Sequence, residues 1–561
     1  MVLSKEKLTT LYSLYQQRHF EQVIKKGNSL IEEFSQDNNL INIVAASNIG
    51  LGQFDTAIEL YKKAINLKPM DAEAYNNIAV AYKEKGDISK AIENYQQAVN
   101  LNQEYVAAYI NLGTALQENK NYEAAIENFK RVIELTPDNS RVYNNLGFSY
   151  RAVDKRSAAK DSYRLSIKHS IDYTLAYNNL GVMLYEDGHF EEAIEIFNQA
   201  IQINPNDPNT HANLGKVLAT KSNTAEAIES YQRAIKLKSD VAIWFYSLGV
   251  LYSENDDTDS ALKYLYHGLD LDPDFLQIHY AIGLVYYQLK KYDDAFSAFN
   301  KSGSAKSYSQ SLLCLYAQGK YDEFKERIES NLDKYENDIQ VAAICAFTYN
   351  QIGEKNIHPF CQNPLDFIYS SELSIDEKDA PFFIDNLVEE LKKMEVVWNQ
   401  RRQSSHNGFH TTGNLFNNSY GIFSDLEKII KNEIQVYYKK FKSNNCGFIN
   451  YWPENISLYG WSIRLQKDGF NRPHIHPAGW LSGVIYLQLV ESENKDEGAI
   501  EWSLHGTDYT FPPLINENTP KVRHHPKPGD IVLFPSSLYH YTIPIRNEGE
   551  RVIISFDLLP K

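Results

Sequence analysis

A repeat of 34 residues constrains this sequence more than any other feature. The segments AYNNIA, AYINLG, VYNNLG and AYNNLG begin at residues 74, 108, 142 and 176, and THANLG, WFYSLG and IHYAIG continue the spacing at 210, 244 and 278. A small residue recurs at the same interval, at Ala57, Ala91, Ala125, Ala159, Ala193, Ala227, Ala261 and Ala295. Tyrosines and leucines at helical spacing accompany both markers. The pattern predicts two helices per repeat, crossing closely at the small residues, with each repeat burying its apolar face against its neighbours.

This period and pattern resemble the tetratricopeptide repeat (TPR) family. The register is clear over about residues 40–305, and helical but degenerate stretches extend it to residues 1–355. The resemblance implies an all-α, right-handed superhelical solenoid with a concave groove. A groove of this kind implies binding of a protein or peptide rather than catalysis.

One asparagine per repeat is a candidate for lining that groove. The series comprises Asn77, Asn111, Asn145, Asn179 and Asn213, and Ser247 and Ala281 end it. An asparagine side chain can both donate to and accept from an extended peptide backbone. The series resembles the asparagine ladder in the TPR superhelix of O-linked N-acetylglucosamine transferases, although asparagine is also simply common at this position of TPR sequences.

The character of the sequence changes after residue 355. Prolines without helical periodicity predict a linker over residues 356–378, followed by a second domain over residues 379–561. Helical patterns at 379–397 and 423–442 flank a polar, glycine-rich segment that is expected to be a loop. Short strand-like segments at 456–466, 480–490, 498–504, 530–534, 539–545 and 551–558 predict a β-barrel or jelly-roll core over residues 456–561.

Three features of this predicted barrel carry chemistry. His474 and His476 stand two residues apart before a strand, so both imidazoles project to the same side of an extended chain and can hold one metal ion. His540 follows the strand DIVLF, and Arg551 opens the last strand. Together with HIHPAGWLSGVIYL, PGDIVLFPSSLYH and ERVIISFDL, they resemble the 2-oxoglutarate/Fe(II) dioxygenase superfamily, and more closely a family of bacterial oxygenases with an H-x-H motif.

The resemblance implies a multidomain protein whose α+β C-terminal domain has a double-stranded β-helix (jelly-roll) core. It implies Fe(II) and the co-substrate 2-oxoglutarate, with His474, His476 and His540 as metal ligands. Arg551 stands where the superfamily binds the distal carboxylate of 2-oxoglutarate, for which a guanidinium offers a bidentate match. Tyr486 is a further candidate for a hydrogen bond to the co-substrate.

The metal motif departs from the usual H-x-Asp or H-x-Glu. Three interpretations remain open at this point. All three histidines bind the metal, or one of His474 and His476 pairs with His540 and a carboxylate from elsewhere, such as Glu501. In the third, the motif is His476-Pro477-Ala478, with alanine in the carboxylate position, as in superfamily halogenases.

Composition excludes several classes of partner. The formal net charge is −16 and no basic stripe appears, which argues against nucleic acid. The sequence has neither a signal peptide pattern nor 18 consecutive apolar residues, so no membrane association is expected and a cytoplasmic location is predicted. The four cysteines form no CxxC pair, which suits reduced thiols.

The leading hypothesis is a 2-oxoglutarate-dependent Fe(II) dioxygenase, a hydroxylase, whose TPR repeats recruit a protein or peptide. The rival is a non-catalytic TPR adaptor with a degenerate barrel, which the missing carboxylate favours. The sequence argues against a glycosyltransferase, because residues 356–561 are too short for one and lack βαβ alternation and a glycine-rich nucleotide turn.

Overall fold

The structure is a computed structural model, and it describes residues 4–221, 223–376, 378–394, 396–398, 405–411, 413–417, 421–505 and 519–561. The chain divides into two compact units, Met1–Asn213 and Leu214–Lys561, whose boundary falls within a helix. No helix among these residues is both long and apolar enough to cross a bilayer.

The first unit consists of antiparallel helix pairs. Its helices are α1 (Lys5–Gln16), α2 (Phe20–Glu33), α3 (Asn38–Gly50), α4 (Phe54–Leu67), α5 (Ala72–Glu84), α6 (Ile88–Leu101), α7 (Val106–Glu118), α8 (Tyr122–Leu135), α9 (Ser140–Ala152), α10 (Arg156–His169), α11 (Thr174–Glu186), α12 (Phe190–Ile203) and the start of α13 (Pro208–Thr220). Small residues allow the two helices of a repeat to approach. A Cβ added at Gly147 would lie 2.7 Å from the ring of Tyr163, and Ala159 is fully buried.

The second unit continues the helix pairs and then changes to sheet. Its helices before the sheet are α14 (Thr224–Leu237), α15 (Ala242–Glu254), α16 (Thr258–Leu271), α17 (Leu276–Gln288), α18 (Tyr292–Ser302), α19 (Ala305–Ala317), α20 (Tyr321–Ser330), α21 (Leu332–Tyr335) and α22 (Ile339–Ile352). A short 3₁₀ helix follows at Pro364–Phe367.

Two antiparallel sheets form the C-terminal part. The strands are β1 (Tyr369–Glu372), β2 (Val396–Trp398), β3 (Ser405–Thr411), β4 (Ile456–Asn471), β5 (Leu481–Gln488), β6 (Ile500–Ser503), β7 (Lys521–His524), β8 (Asp530–Pro535), β9 (Tyr539–Thr542) and β10 (Arg551–Pro560), with α23 (Ala380–Lys392), α24 (Ile422–Phe441) and α25 (Gly447–Asn450) between them. The larger sheet has the order β1-β8-β5-β10-β4-β3-β2, and the smaller sheet has the order β7-β6-β9.

The larger sheet is buried on both faces. On one face, Leu481, Ile485 and Phe556 pack with α23 and α24 in a core that also contains Ile339 and Ala342 of α22. On the other face, a second core joins residues of both sheets with α22, and its members include Ile463, Val484, Ile553, Ile500, Trp502 and Ala346. The helix α22 is therefore part of the packing of the sheets.

Further polar contacts join α22 to this domain. The amide of Gln351 donates to the hydroxyl of Thr519 at 3.0 Å, and the ring of Phe347 lies 6.2 Å from that of His505. The repeats of the second unit and the sheets thus form one packed body, in agreement with its single compact unit.

Most of the predicted elements are present, but four strands lie outside them. The strands β4, β5, β6, β8, β9 and β10 coincide with the six predicted segments, and α24 matches the helix predicted at 423–442. The strand β1 lies within the predicted linker, β2 occupies the end of the helix predicted at 379–397, β3 lies in the segment expected to be a loop, and β7 follows residue 520. These strands are short or polar, and their pairing with a neighbouring strand, rather than an apolar pattern, defines them.

Gly483, in the middle of β5, permits close packing inside the larger sheet. A Cβ at this position would lie 2.2 Å from Cζ of Phe556 and 2.8 Å from Cδ2 of Leu533. Gly483→Ala is therefore expected to destabilise the protein by about 1–3 kcal/mol through overpacking. Chemical denaturation would measure the loss, and Phe556→Leu in the same chain should restore part of it. Equal stability of Gly483→Ala and the wild type would contradict this account.

Candidate functional site

Three histidines converge at one end of the smaller sheet. One nitrogen from each of His474, His476 and His540 lies within 4.8 Å of the other two. His474 and His540 form an isolated antiparallel bridge, in which each backbone N–H donates to the other residue's carbonyl at 3.1 Å. The backbone N–H of His476 donates to the carbonyl of Ser536, also at 3.1 Å. Backbone hydrogen bonds therefore fix the positions of the three Cα atoms from which the imidazoles project.

The second nitrogen of each imidazole is directed away from the cluster. Nδ1 of His474 lies 2.7 Å from the carbonyl oxygen of Arg472, and Nδ1 of His540 lies 3.2 Å from that of Leu538. A carbonyl only accepts, so each Nδ1 carries the proton and donates. Nε2 of His474 then lies 3.2 Å from Nε2 of His476, and a cation held by the cluster would bind these nitrogens through their lone pairs. This is how protein ligands to metals are usually oriented.

The third imidazole is held by a carboxylate. Nδ1 of His476 lies 2.6 Å from Oδ1 of Asp557, which also accepts a hydrogen bond from Ser482 at 2.7 Å. The hydroxyls of Ser482 and Ser536 lie 2.8 Å apart. Asp557 was not singled out in the sequence, although its place in the quoted segment ERVIISFDL, on the strand that pairs with β5, was the available signal. It is a carboxylate beside the cluster rather than a member of it.

Burial keeps the imidazoles of His474 and His540 neutral. Desolvation, together with the neighbouring His476 imidazole, lowers the pKa of His474 to about 3. Desolvation and the nearby His474 imidazole hold the pKa of His540 well below its ordinary value. The neutral imidazole is the form that binds metal, and a cluster of three imidazoles suits a borderline divalent cation such as Fe(II).

An enclosed cavity adjoins the histidines between the two sheets. Strands of both sheets line it. The larger sheet contributes Trp461, Ile463 and Asn471 from β4, Val484 and Tyr486 from β5, and Arg551, Ile553 and Ser555 from β10. The smaller sheet contributes Ile500, Thr542 and His540. Both strand β4 and strand β10 therefore contribute alternate residues to it, as the period of two requires. The cavity joins the histidine cluster to Arg551.

Arg551 is a buried cation without a carboxylate partner among the described residues. It is 1% exposed, and its Nε and Nη1 have no hydrogen-bond acceptor there. Its guanidinium lies over the ring of Tyr486 at 5.3 Å, and the hydroxyl of Tyr486 is likewise buried with no acceptor among the described residues. Desolvation raises the pKa of Tyr486, so the phenol stays protonated. These groups form a set of donors that fits an anionic ligand.

The alternative carboxylate considered from the sequence is engaged elsewhere. Glu501 is 2% exposed and accepts from Arg523 at 2.6 Å, lies 3.1 Å from Nζ of Lys521, and accepts from the hydroxyl of Tyr541. Its neighbour Ile500 lines the cavity, so Glu501 faces the opposite side of β6. Ala478 is exposed. The geometry therefore favours the interpretation in which the three histidines form one centre.

The asparagines of the first unit make contacts between repeats. Nδ2 of Asn111 donates to Oδ1 of Asn76 at 3.0 Å, and Nδ2 of Asn179 donates to Oδ1 of Asn144 at 2.8 Å. Asn77 accepts from its neighbour Asn76 at 3.1 Å. All five members of the series, Asn77, Asn111, Asn145, Asn179 and Asn213, are half-buried. At least two of them therefore tie adjacent repeats together.

Comparison with known proteins agrees with both parts of the chain. A family model described as "Putative 2OG-Fe(II) oxygenase" matches residues 459–557. A "TPR repeat" model matches residues 50–86, 81–120, 115–152 and 181–222, and a "Tetratricopeptide repeat" model matches 212–274 and 246–308. The chain thus contains TPR repeats within residues 50–308 and a C-terminal domain that matches the oxygenase model.

Individual relatives match only parts of the chain. The rhomboid protease GluP of Bacillus subtilis (strain 168) is 32% identical over 71 residues, which are 13% of this chain and 14% of that protein. The crystal structure of MamA is 27% identical, covers 28% of this chain and 94% of its own, and has a TM-score of 0.28. The crystal structure of YrrB, described as a TPR protein with an unusual peptide-binding site, is 23% identical. It covers 33% of this chain and 96% of its own, with a TM-score of 0.29.

Proposed function

We propose, from the premise that this chain joins TPR repeats to a domain of the oxygenase type, that it is a 2-oxoglutarate-dependent Fe(II) dioxygenase that hydroxylates a protein or peptide. The observation that carries this proposal is the cavity that connects the three-histidine cluster, through His474 and His540, with the buried Arg551, two of whose nitrogens have no acceptor among the described residues. A metal ligand set at one end and an anion receptor at the other match the two ends of 2-oxoglutarate.

Each group has a distinct role in this proposal. His474, His476 and His540 hold Fe(II) through Nε2, and Arg551 with Tyr486 binds the distal carboxylate of the co-substrate. When bound, iron and 2-oxoglutarate supply the oxidation that inserts one oxygen atom of O₂ into a substrate C–H bond, with succinate and CO₂ as the other products. The apolar walls formed by Ile463, Val484 and Ile553 exclude water from this reaction.

Three neutral ligands give the site a particular electrostatic balance. Because none of the three proposed ligands is a carboxylate, no protein ligand neutralises any of the charge of the metal ion. Asp557, behind His476, supplies the nearest negative charge through the imidazole. We therefore infer that the dianionic co-substrate strengthens metal retention in this protein more than it would beside a carboxylate ligand.

The proposal includes a fold for the C-terminal domain and boundaries for the domains of the chain. We infer a double-stranded β-helix, supported by two antiparallel sheets that share one core and enclose the cavity. A solenoid over residues 1–355, a connection at 356–378 and an oxygenase domain over 379–561 remain the proposed organisation. Four free cysteines support the proposed cytoplasmic location.

The TPR repeats supply the proposed protein partner. Among the described residues, the side chains of Asn77, Asn145 and Asn213 make no hydrogen bond to another repeat, so we infer that they present amides to a bound peptide more readily than Asn111 and Asn179. Replacing Asn145 by alanine should weaken partner binding without loss of stability. Replacing Asn111 should instead lower stability, because it removes a bond between repeats.

The experiment that tests the function starts without oxygen. Fe(II) and 2-oxoglutarate are added to the purified protein, and the weak visible charge-transfer band of their chelate is followed; air is then admitted and succinate is measured. A band followed by succinate formation that needs both Fe(II) and O₂ supports the enzyme. A folded protein that binds neither Fe(II) nor 2-oxoglutarate would favour the rival function, a TPR adaptor with a non-catalytic barrel.

Asp557→Asn tests the positioning of the metal ligand. Loss of the carboxylate removes the acceptor that fixes the His476 tautomer, and changes to such partners typically cost about 10–100-fold in metal affinity. We expect a loss in that range, measured by titrating Fe(II) or Co(II) into the apoprotein. Asp496→Asn, at a surface ion pair with Arg523, is the control. Unchanged affinity in Asp557→Asn would remove the proposed role of this carboxylate.

A further inference from the structure

The strand β3 brings a fourth histidine to the inner face of the larger sheet. His410 pairs directly with Ile463 of β4, and Ser405 pairs with Asn471. Residues opposite one another in an antiparallel pair share a face, and both Ile463 and Asn471 line the cavity. His410 and Ser405 therefore lie on the same sheet face, beside the lining residues Ile463 and Asn471, although β3 precedes the region that the oxygenase model matches.

A β-bulge makes this arrangement possible. Residues five apart face opposite sides of a regular strand, yet the hydroxyl of Ser405 is hydrogen-bonded to Nε2 of His410. The register shifts between His406 and Gly408, and Asn407 has a φ of 51°. Bulges beside active sites commonly redirect a side chain. The shift here turns Ser405 and His410 to the same side.

Two polar atoms at this position have no partner among the described residues. They are Nδ1 of His410 and Oδ1 of Asn471, in side chains that are 3% and 6% exposed. Burying a polar atom without a hydrogen bond is costly, and such atoms persist where a ligand satisfies them. Arg551 serves the co-substrate in the proposed function, so these two atoms are left for another molecule.

We propose that His410 and Asn471 bind a peptide-type amide of the substrate at this end of the cavity, an inference that rests on the proposed dioxygenase function. If the Ser405 hydroxyl donates to Nε2, the His410 Nδ1–H is a donor, while Oδ1 of Asn471 is an acceptor. An amide offers the matching carbonyl and N–H. An acceptor oxygen repels a carboxylate, and no carboxylate or further cation besides Arg551 lines the cavity among the described residues. A neutral group is therefore favoured.

The test uses N-methylacetamide, the smallest mimic of a peptide bond, and measures its binding by saturation-transfer NMR. The protein is titrated both alone and loaded with Zn(II) and N-oxalylglycine, an unreactive analogue of 2-oxoglutarate. We expect saturable binding that weakens at least tenfold in Asn471→Leu and in His410→Phe. His410→Asn, which keeps a polar nitrogen near the Nδ1 position, should retain binding, and His525→Phe, at an exposed histidine, should not change it.

The outcomes separate this inference from the proposed function. Thermal stabilisation by Zn(II) with N-oxalylglycine reports the metal and co-substrate site, and it should persist in Asn471→Leu and His410→Phe. If that stabilisation is present but N-methylacetamide does not bind, or binds equally to these variants, the amide site is wrong. If acetate competes and shows the same dependence on the two residues, the site binds anions instead. If Zn(II) with N-oxalylglycine does not stabilise the protein, the metal site is contradicted. In that case the amide site of His410 and Asn471 is still supported if N-methylacetamide binds the wild type and neither variant.

Discussion

Arg551→Met is expected to weaken 2-oxoglutarate binding about 10- to 100-fold while making the protein without ligand more stable. The loss reflects a charge-assisted, bidentate interaction with a carboxylate, which contributes about 1.5–3 kcal/mol. The gain arises because Arg551 is 1% exposed and two of its nitrogens have no acceptor in the part of the chain that the structure describes, so its replacement removes a buried charge without a carboxylate partner there. The gain should be about 1–3 kcal/mol, by analogy with buried charges that are replaced by apolar residues.

These opposite changes distinguish a ligand-binding arginine from a structural one. Titration of 2-oxoglutarate against the visible band of the Fe(II) protein measures the affinity, and chemical denaturation of the apoprotein measures the stability. Arg464→Met is the matched control on the same sheet, because Arg464 is paired with Glu550 at 2.9 Å. It should leave 2-oxoglutarate affinity unchanged. If Arg551→Met is less stable and binds 2-oxoglutarate normally, the buried arginine has a structural role that the contacts do not reveal.

His540→Ala is expected to abolish the Fe(II)–2-oxoglutarate band and to lower Fe(II) affinity by more than about 100-fold. The substitution removes one of the three proposed nitrogen ligands. Loss of a group that only hydrogen-bonds to a ligand lowers metal affinity about 10–100-fold, so loss of the ligand itself should lower it further. Metal titration of the apoprotein and the anaerobic visible spectrum both measure the effect. Binding of a protein partner should survive, because the proposed function assigns it to the TPR repeats.

Controls for this prediction address folding. His540 is buried between Phe534 and the other two imidazoles, so circular dichroism must show that His540→Ala is folded before its metal affinity is compared. His540→Gln, which preserves more of the volume, provides a second variant. His525→Ala removes an exposed histidine and should retain the band. Normal Fe(II) affinity in both His540 variants would refute the three-histidine centre.

The sequence alone established the elements whose signal is local or periodic. The 34-residue register determined the helix pairs because each repeat must place a small residue where its two helices cross, as at Gly147 against Tyr163. The spacing of His474 and His476, and the apolar strands that surround them, were sufficient to suggest a metal site. Family models bear out the repeats and the oxygenase-type domain.

Tertiary structure decided what depends on contacts between distant segments. Asp557 lies 81 residues from His476 in sequence, and only the pairing of β10 with β5 brings its carboxylate to the imidazole. The strand β3 was expected to be a loop because its residues are polar, and a bulge, invisible in the sequence, turns His410 inward. The packing of α22 into the sheet core likewise joins parts of the chain that no local pattern relates. The periodicity of apolar residues indicates which face of a helix or strand is buried. It does not indicate which other helix or strand packs against that face, because that depends on how distant segments come together in the fold.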